Sequence, residues 1–457
     1  MSVDVDTIAA ISTGPGAGAI AMVRVSGPEA GEVLLRLAPA LEEIPAPRTA
    51  RVVDLCDPDD GEVIDRAVAT YYRKPESYTG EDVVELTCHG GVMAPRLVLG
   101  ACLAAGARQA EAGEFTKRAY LRGKLDLIQA EAVSDLIDAR SRAFHRAALR
   151  HMERGLSARI TGLRESLVHL ESLLVHHIDF PEEDEPPVAL DVIAEEAKGV
   201  VRELDALLVT APEGELLREG ALTVFAGRPN AGKSSVFNAL LGEERAIVTE
   251  EPGTTRDALE ETVQLGGFPF RLVDTAGLRE SEGRVEQLGI EVALRYLKGA
   301  DIVLFCIPAS EETSEEDRSF LEEITAPVVL LETKADLAGG PERDTTDLRG
   351  LAGAVRVSAL SGQGLDQIRQ LLPELAYSGL VGDHRDQPIL TRQRHIRALK
   401  IARSEVELFR SSLEDGLPAE IASTHLRPAE TALEEVLGVI TVDDVLDVVF
   451  REFCVGK

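Results

Sequence analysis

Gly227-Arg228-Pro229-Asn230-Ala231-Gly232-Lys233-Ser234 follows a short apolar run, ALTVFA, and leads through Ser235 into the helical-looking VFNALLG. A glycine-rich turn between a strand and a helix presents backbone amides to phosphate oxygens. In that frame Lys233 reaches the outer phosphates and the Ser234 hydroxyl is offered to Mg²⁺. Further along, Asp274-Thr275-Ala276-Gly277 closes another strand-like run. It places a carboxylate where Mg²⁺ is held and a glycine amide where a terminal phosphate is sensed. Between the two lies Gly253-Thr254-Thr255-Arg256-Asp257, whose threonines suit a switch loop completing the Mg²⁺ shell. Thr333-Lys334-Ala335-Asp336 follows PVVLLE, and Ser358-Ala359-Leu360 follows AVRV. The Asp336 carboxylate can accept two hydrogen bonds from N1 and N2 of guanine, groups that adenine does not offer. The order and spacing of these motifs predict binding of GTP and GDP.

Two positions depart from the usual guanine-nucleotide pattern. Thr333 stands where asparagine is usual, and a hydroxyl cannot reproduce carboxamide contacts, so Asp336 is left to read the base. Leu278 stands where Ras-like enzymes carry a water-orienting glutamine. Another group must orient the attacking water, and Glu286 within SEGRVEQLGIE is the candidate; the alternative is a solvated helix carboxylate.

Strand-like and helical runs alternate through the stretch holding these motifs, which predicts a parallel sheet flanked by helices. Residues 1–118 mix short β-like runs (AIAMVRVS, DVVELTCHGG) with helical patches (RLVLGACLAAGA) and read as a compact α/β domain. From about Leu125 the spacing becomes helical: Leu125, Ile128, Ala132 and Leu136 share one face, as do Ile160, Leu163, Leu167, Leu170 and Leu174. DFPEEDEPP at 179–187 interrupts the helices as an exposed turn. Helical spacing returns with QRHIRALKIARSEVELF and ends in TVDDVLDVVFREF, where Thr441 and Asp444 form a capping-box pattern. There Val442, Val445, Leu446, Val449, Phe450 and Phe453 make one apolar stripe. The expected fold class is multidomain, α/β plus all-α. Its parts are an N-terminal α/β domain (1–118), a helical domain in two segments (119–217 and 383–457), and a P-loop nucleotide domain (218–382) inserted between them.

The chain has 457 residues, 44% of them hydrophobic and 28% charged, which favours folded domains over disorder. No apolar stretch approaches the roughly 18 residues of a membrane span, and the opening MSVDVDTIAA lacks a secretion signal, so no membrane association and a cytoplasmic location are expected. The five cysteines form no CxxC pair, which argues against a disulfide framework or a zinc site. A formal net charge of −31 excludes nonspecific polyanion binding by the whole surface; any RNA contact must be local or supplied by a partner. Two arginine-rich stretches stand out locally: Arg140, Arg142, Arg146, Arg150, Arg154 and Arg159, then Arg392, Arg394, Arg397, Lys400 and Arg403. They are either RNA-facing patches or solvated faces paired with carboxylates.

GRPNAGKSS, PGTTRD and DTAGLRE together resemble the TrmE-Era-EngA GTPases. Within that group YTGEDVVELTCHGG (78–91), GEFTKRAYLRGKLDLIQAEAVSDLIDA (113–139) and the closing Phe453-Cys454-Val455-Gly456-Lys457 resemble the MnmE (TrmE) family over essentially the whole chain. The resemblance implies a potassium-dependent GTPase. With an FAD-dependent partner subunit, MnmG (GidA), it installs an aminomethyl or carboxymethylaminomethyl group at C5 of the tRNA wobble uridine. The one-carbon donor would be a tetrahydrofolate derivative, 5-formyl- or 5,10-methylene-tetrahydrofolate. Carried onto this chain, the resemblance puts K⁺ at Asn230, Thr249, Glu251 and Thr254, within a nucleotide loop that also holds Glu250, Pro252 and Gly253. It puts Mg²⁺ at Ser234 and Thr255, the folate at Arg24, Glu85, Lys124 and Lys457, and catalytic roles at Glu286 and Cys454. It further implies a homodimer held by the N-terminal domains and, with the partner subunit, a heterotetramer. Gly14 and Ala17 depart from that family's usual proline and arginine in the loop STGPGAG.

Two other readings are distinguishable. A GTP-switched ribosome-assembly factor would carry a basic RNA-binding module after the nucleotide domain, where this chain has an acidic helical segment. A folate-dependent transferase acting alone would leave the nucleotide motifs without purpose.

Overall fold

The computed structural model describes residues 6–456 except 15, 17, 180–187, 245–259, 276–291, 338–347, 349, 382–387, 440–445, 447, 448 and 452. The chain divides into two compact units, one of residues 1–134, 152–161 and 434–457, the other of 135–151 and 162–433.

The first unit is built on a sheet of β1 (Ile8–Ile11), β2 (Ile20–Ser26), β3 (Ala50–Cys56), β4 (Val63–Tyr72), β5 (Val83–His89) and β6 (Arg108–Gln109), ordered β3-β4-β5-β2-β1-β6. All pairs are antiparallel except β1 with β6. Alternation along β2 sends Ala21, Val23 and Val25 into a core shared with helices Ala30–Leu37 and Ala94–Ala104. Arg24 is left on the opposite face, directly across from Glu85.

Helix Leu127–Asp138 begins two residues after the expected Leu125; of the expected face Ile128 and Ala132 are buried and Leu125 and Leu136 half-buried, and the helix also buries Leu127 and Ala130. They meet Leu446, Val449, Phe450 and Phe453, so the described members of the terminal apolar stripe are core. Val442 and Val445 lie outside the described residues. Gly113 (φ 69°) must be glycine here, because a Cβ would sit 2.5 Å from the Phe450 carbonyl oxygen. Beyond Phe453, Val455 bridges Ala112, and the Ser12 hydroxyl donates to the Gly456 carbonyl at 2.9 Å.

The second unit holds β7 (Ala221–Ala226), β8 (Glu260–Leu265), β9 (Phe268–Asp274), β10 (Ile302–Pro308), β11 (Val328–Thr333) and β12 (Leu351–Arg356), ordered β12-β11-β10-β7-β9-β8. Only β8 runs antiparallel. Every residue of β7, β10 and β11 is buried, as expected of parallel strands covered on both faces. Helices Leu190–Leu208 and Gln393–Glu414 pack along each other elsewhere in this unit. Ile160, Leu163, Leu167, Leu170 and Leu174 of helix Gly155–Asp179 are all buried, as their spacing predicts.

Chain entry to and exit from the parallel sheet are pinned by polar groups. The buried Asp135 carboxylate pairs with Arg392 on the exit side (2.7 Å) and Arg218 on the entry side (3.3 Å). The fully buried Tyr377 accepts the Ala221 amide and lies 3.0 and 2.6 Å from the Leu216 and Pro269 carbonyl oxygens.

Candidate functional site

The nucleotide motifs leave the sheet at one edge, the carboxyl ends of β7, β9, β11 and β12, where open α/β sheets bind ligands. After β7 the chain turns sharply at Gly227 (φ 131°). A Cβ there would stand 2.4 Å from the Cys306 carbonyl oxygen, so the loop can hug β10 only through glycine. Asn230 adopts a left-handed conformation (φ 60°), and Gly232 (φ 89°) leads into helix Lys233–Glu244. Left-handed backbone at a non-glycine residue is held by its surroundings and gathers at ligand sites. Asn230, Ser234 and Ser235 are exposed; Ala231 is buried.

Lys233 is buried, and its Nζ donates to the carbonyls of Gly227 (2.9 Å) and Arg228 (2.7 Å), closing the loop around the ammonium. Asp274, 7% exposed, ends β9, and the Thr275 hydroxyl donates to Phe225 of β7 at 2.7 Å. Across the edge, the buried Thr333 hydroxyl donates to the Ala231 carbonyl, tying β11 to the phosphate loop. A Cβ at Gly232 would come within 3.2 Å of Thr333. Lys334 is left-handed (φ 55°), and the exposed Asp336 accepts from the buried Ser358 hydroxyl at 2.6 Å. Ala335 is buried against the Val357 carbonyl, half-buried Ala359 flanks the core, and Leu360 is exposed. The arrangement offers a loop of amides with a buried cation for phosphates, hydroxyl and carboxylate oxygens for a hard metal ion, and a braced carboxylate for a base.

Thr249, Glu250, Glu251, Pro252, Gly253, Thr254, Thr255, Ala276, Gly277, Leu278 and Glu286 lie outside the described residues, as does Lys457. Sequence reasoning missed the support of Arg228, whose guanidinium forks onto the buried Asp317 carboxylate. Asp317 also completes a capping box with Ser314 at the start of helix Glu315–Glu323. The pattern Ser-x-x-Asp was the available signal for that cap.

In the first unit β2 and β5 bring Arg24 and Glu85 together. The Arg24 Nε and Nη2 donate to one Glu85 oxygen at 3.1 and 2.8 Å. The guanidinium lies over the rings of Tyr78 (5.2 Å) and Phe115 (5.7 Å). Burial pushes the Tyr78 phenol upward in pKa, and its oxygen bonds Thr116 at 2.9 Å. Neither ring was singled out from the sequence, because Tyr78 and Phe115 reach Arg24 from distant segments. Lys124 is exposed after helix Glu114–Leu121 and donates to the Pro75 carbonyl at 3.1 Å.

Close by in the chain, a buried ion network binds the loop before β5 to that helix. Arg118, 3% exposed, pairs with Asp6 (2.7 Å), Glu81 (3.2 Å) and Glu114 (2.8 Å). Arg108 also pairs with Asp6 and Glu114, and Ser26 donates to Glu81. All cysteines are free thiols. Burial drives Cys102 and Cys306 up to about 12, whereas Cys454 is exposed. Among the described residues no cluster of His, Cys, Asp and Glu is placed to hold a metal ion, and no helix is long and apolar enough to cross a membrane.

The model of the MnmE helical domain matches residues 127–454, and that of the GTP-binding protein TrmE N-terminus matches residues 7–124. The chain is 42% identical over 471 residues to the tRNA modification GTPase MnmE of Heliobacterium modesticaldum, covering 99% of each chain. It is 41% identical over 464 residues to that of Moorella thermoacetica, again covering 99% of each. With that of Neisseria meningitidis serogroup B it shares 42% over 465 residues, covering 100% of each.

The chain belongs to the MnmE family of tRNA modification GTPases. Membership makes it a GTP hydrolase of tRNA modification.

Proposed function

We propose that this chain is a potassium-dependent GTPase that works with an FAD-dependent partner of the MnmG type. Together they add an aminomethyl or carboxymethylaminomethyl group at C5 of the wobble uridine in tRNA. The observation that carries the proposal is the phosphate loop closed on Lys233 beside Asp274, in a chain that matches the family from end to end. We divide the work among an N-terminal folate-binding and dimerising domain (1–118), a two-part helical domain (119–217, 383–457) and the GTPase domain (218–382), in a cytoplasmic homodimer.

The residues fit the groups the family implies. Ser234, with Thr255, would hold Mg²⁺, and hydroxyl oxygens suit that hard cation. Asn230, with Thr249, Glu251 and Thr254, would hold K⁺; Asn230 is exposed in the loop, and its carboxamide oxygen is of the kind a hard cation takes. Bound K⁺ supplies a fixed positive charge, the function an arginine finger serves in other GTPases. Arg24 and Glu85 form a partly buried charged pair walled by Tyr78 and Phe115, which suits a polar heterocycle, with Lys124 and Lys457 available for glutamyl carboxylates. The folate supplies the one-carbon unit when bound. Glu286 would orient the attacking water in place of the usual glutamine. Cys454, an exposed thiol on the tail that bridges Ala112, would serve the modification and not GTP hydrolysis.

Mass spectrometry of tRNA nucleosides from cells lacking the chain tests the proposal: loss of the wobble modification is expected, and unchanged wobble uridines would sink it. Equal hydrolysis rates in K⁺ and Na⁺ would refute the cation assignment alone. Cys454→Ser is expected to keep GTP hydrolysis and lose tRNA modification.

A further inference from the structure

Helix Arg142–Met152 carries Arg142, Arg146 and Arg150 at four-residue spacing, about 6 Å apart along its axis, and contains no carboxylate. Arg142, His145 and Arg146 are exposed and Arg150 is half-buried, so the four form one basic ridge. In a chain of net charge −31 such a stretch should attract carboxylates wherever geometry allows. Among the described residues, neither the Arg142 nor the Arg146 side chain has a hydrogen-bond or ion-pair partner. In the second arginine-rich stretch Arg392 is spent on the buried Asp135 and Arg403 pairs with Asp205 at 3.0 Å, while Arg397 and Lys400 are exposed on a helix that also carries Glu405, Glu407 and Glu414.

The ridge is also firmly seated. Phe144 and Ala147 belong to the same core as Phe225, Phe237 and Phe270 of the parallel-sheet region. The Arg142 amide donates to Gln264 Oε1 (2.9 Å) and the Ala143 amide to the Gly267 carbonyl (3.0 Å), fixing the helix to the tip of the β8–β9 hairpin. A cavity of about 250 Å³ opens there, lined by Arg146, Arg150, Gly267, Phe268 and Leu217 among others.

We infer that this ridge is a docking surface for the phosphate backbone of RNA, and thus a local tRNA contact of an otherwise acidic chain. The inference rests on the tRNA-modification reading. Unpaired guanidiniums one turn apart can engage neighbouring phosphates of one strand, and phosphate contacts position RNA without reading its sequence. The hairpin whose tip carries the ridge begins at Glu260 and ends at Asp274, so RNA held there lies on the element that delivers a nucleotide-site carboxylate.

The experiment is binding of fluorescein-labelled tRNA to the full chain at about 50 and about 200 mM KCl. Arg142→Gln combined with Arg146→Gln should weaken binding about tenfold at the lower salt and flatten the salt dependence by about 1.5 in log–log slope, two phosphate contacts' worth. Arg142→Lys combined with Arg146→Lys should stay near wild type, because the charges remain. Undiminished binding of a fluorescent GTP analogue reports that each variant is folded. Unchanged tRNA affinity and slope in the glutamine pair would overturn the inference, as would loss of self-association in place of tRNA binding, which would mark a protein interface. Wild-type binding with silent variants overturns the ridge alone. Absence of wild-type binding, together with unaltered wobble uridines in cells lacking the chain, overturns the tRNA reading as well.

Discussion

The two sheets hold their charged residues in opposite ways. In the parallel-sheet region, Lys233 is fastened to backbone carbonyls five and six residues away, and the motifs come from the carboxyl ends of β7, β9, β11 and β12. In the antiparallel sheet, Arg24 is fastened to a carboxylate 61 residues away and roofed by rings from two further segments. A site of the first kind depends on the local course of the chain; one of the second kind depends on the whole unit being folded. Substitutions in the parallel sheet should therefore change chemistry while leaving stability nearly intact, and those around the antiparallel sheet should change stability first.

The sharpest challenge to that contrast is Lys233→Ala. It should lower GTP hydrolysis by roughly 100-fold or more, since it removes a preorganised cation from the phosphate site. A thermal melt of the same variant should move little. A melt that collapsed while hydrolysis survived would reverse the contrast. Next in size is Arg118→Ala, which removes the buried cation between Glu81 and Glu114 but leaves them Arg122 and Arg108. It should destabilise the first unit by about 2 kcal/mol, read by denaturant unfolding, while GTP affinity is unaltered.

The same network makes the first unit sensitive to acid. Burial pushes the Glu114 carboxyl up, but Arg108, the Glu111 amide and Arg118 outweigh it and hold the group below the ordinary glutamate value of 4.5. A depressed folded pKa means that its stabilisation is complete above the unfolded value and is lost as pH falls through the folded one. The unfolding free energy of the first unit should thus be flat in pH above about 4.5 and decrease as pH falls below it, less steeply in Arg118→Met. The smallest effect is expected from Thr333→Val, which cuts the tie to the Ala231 carbonyl. GTP binding should weaken about fivefold, the order of one hydrogen bond, with GTP-over-ATP preference unchanged on the proposal that Asp336 reads the base. A lost preference, measured by competition, would assign base reading to Thr333.

The same contrast explains what the sequence made legible. The parallel sheet and the phosphate loop follow from alternating runs and motifs a few residues long whose neighbours are chain neighbours. So do the helical faces of Gly155–Asp179 and Gln393–Glu414, which repeat at helical spacing. The Arg24–Glu85 pair was reachable only through resemblance, since no spacing rule tells which residue of β5 faces Arg24. Tyr78 and Phe115, the Arg118 network and the Tyr377 rivet were not legible at all; each is a meeting of segments that only register and tertiary packing define. The departure at Thr333 was seen as a lost base contact. Its tie to Ala231 shows that the hydroxyl has structural work of its own.

The residues between Leu446 and Gly456 complete the core beside Leu127 and close on Ala112 and Ser12. A chain emerging from the ribosome therefore exposes β1 and helix Leu127–Asp138 long before their last partners have been synthesised. The parallel-sheet unit, whose sequence ends at Leu433, can be finished first. The first unit's core and closure need those late residues. A message truncated shortly before codon 446 would then yield a product able to grip nucleotide while its other half stays unsealed, open to proteases that clear unfinished chains.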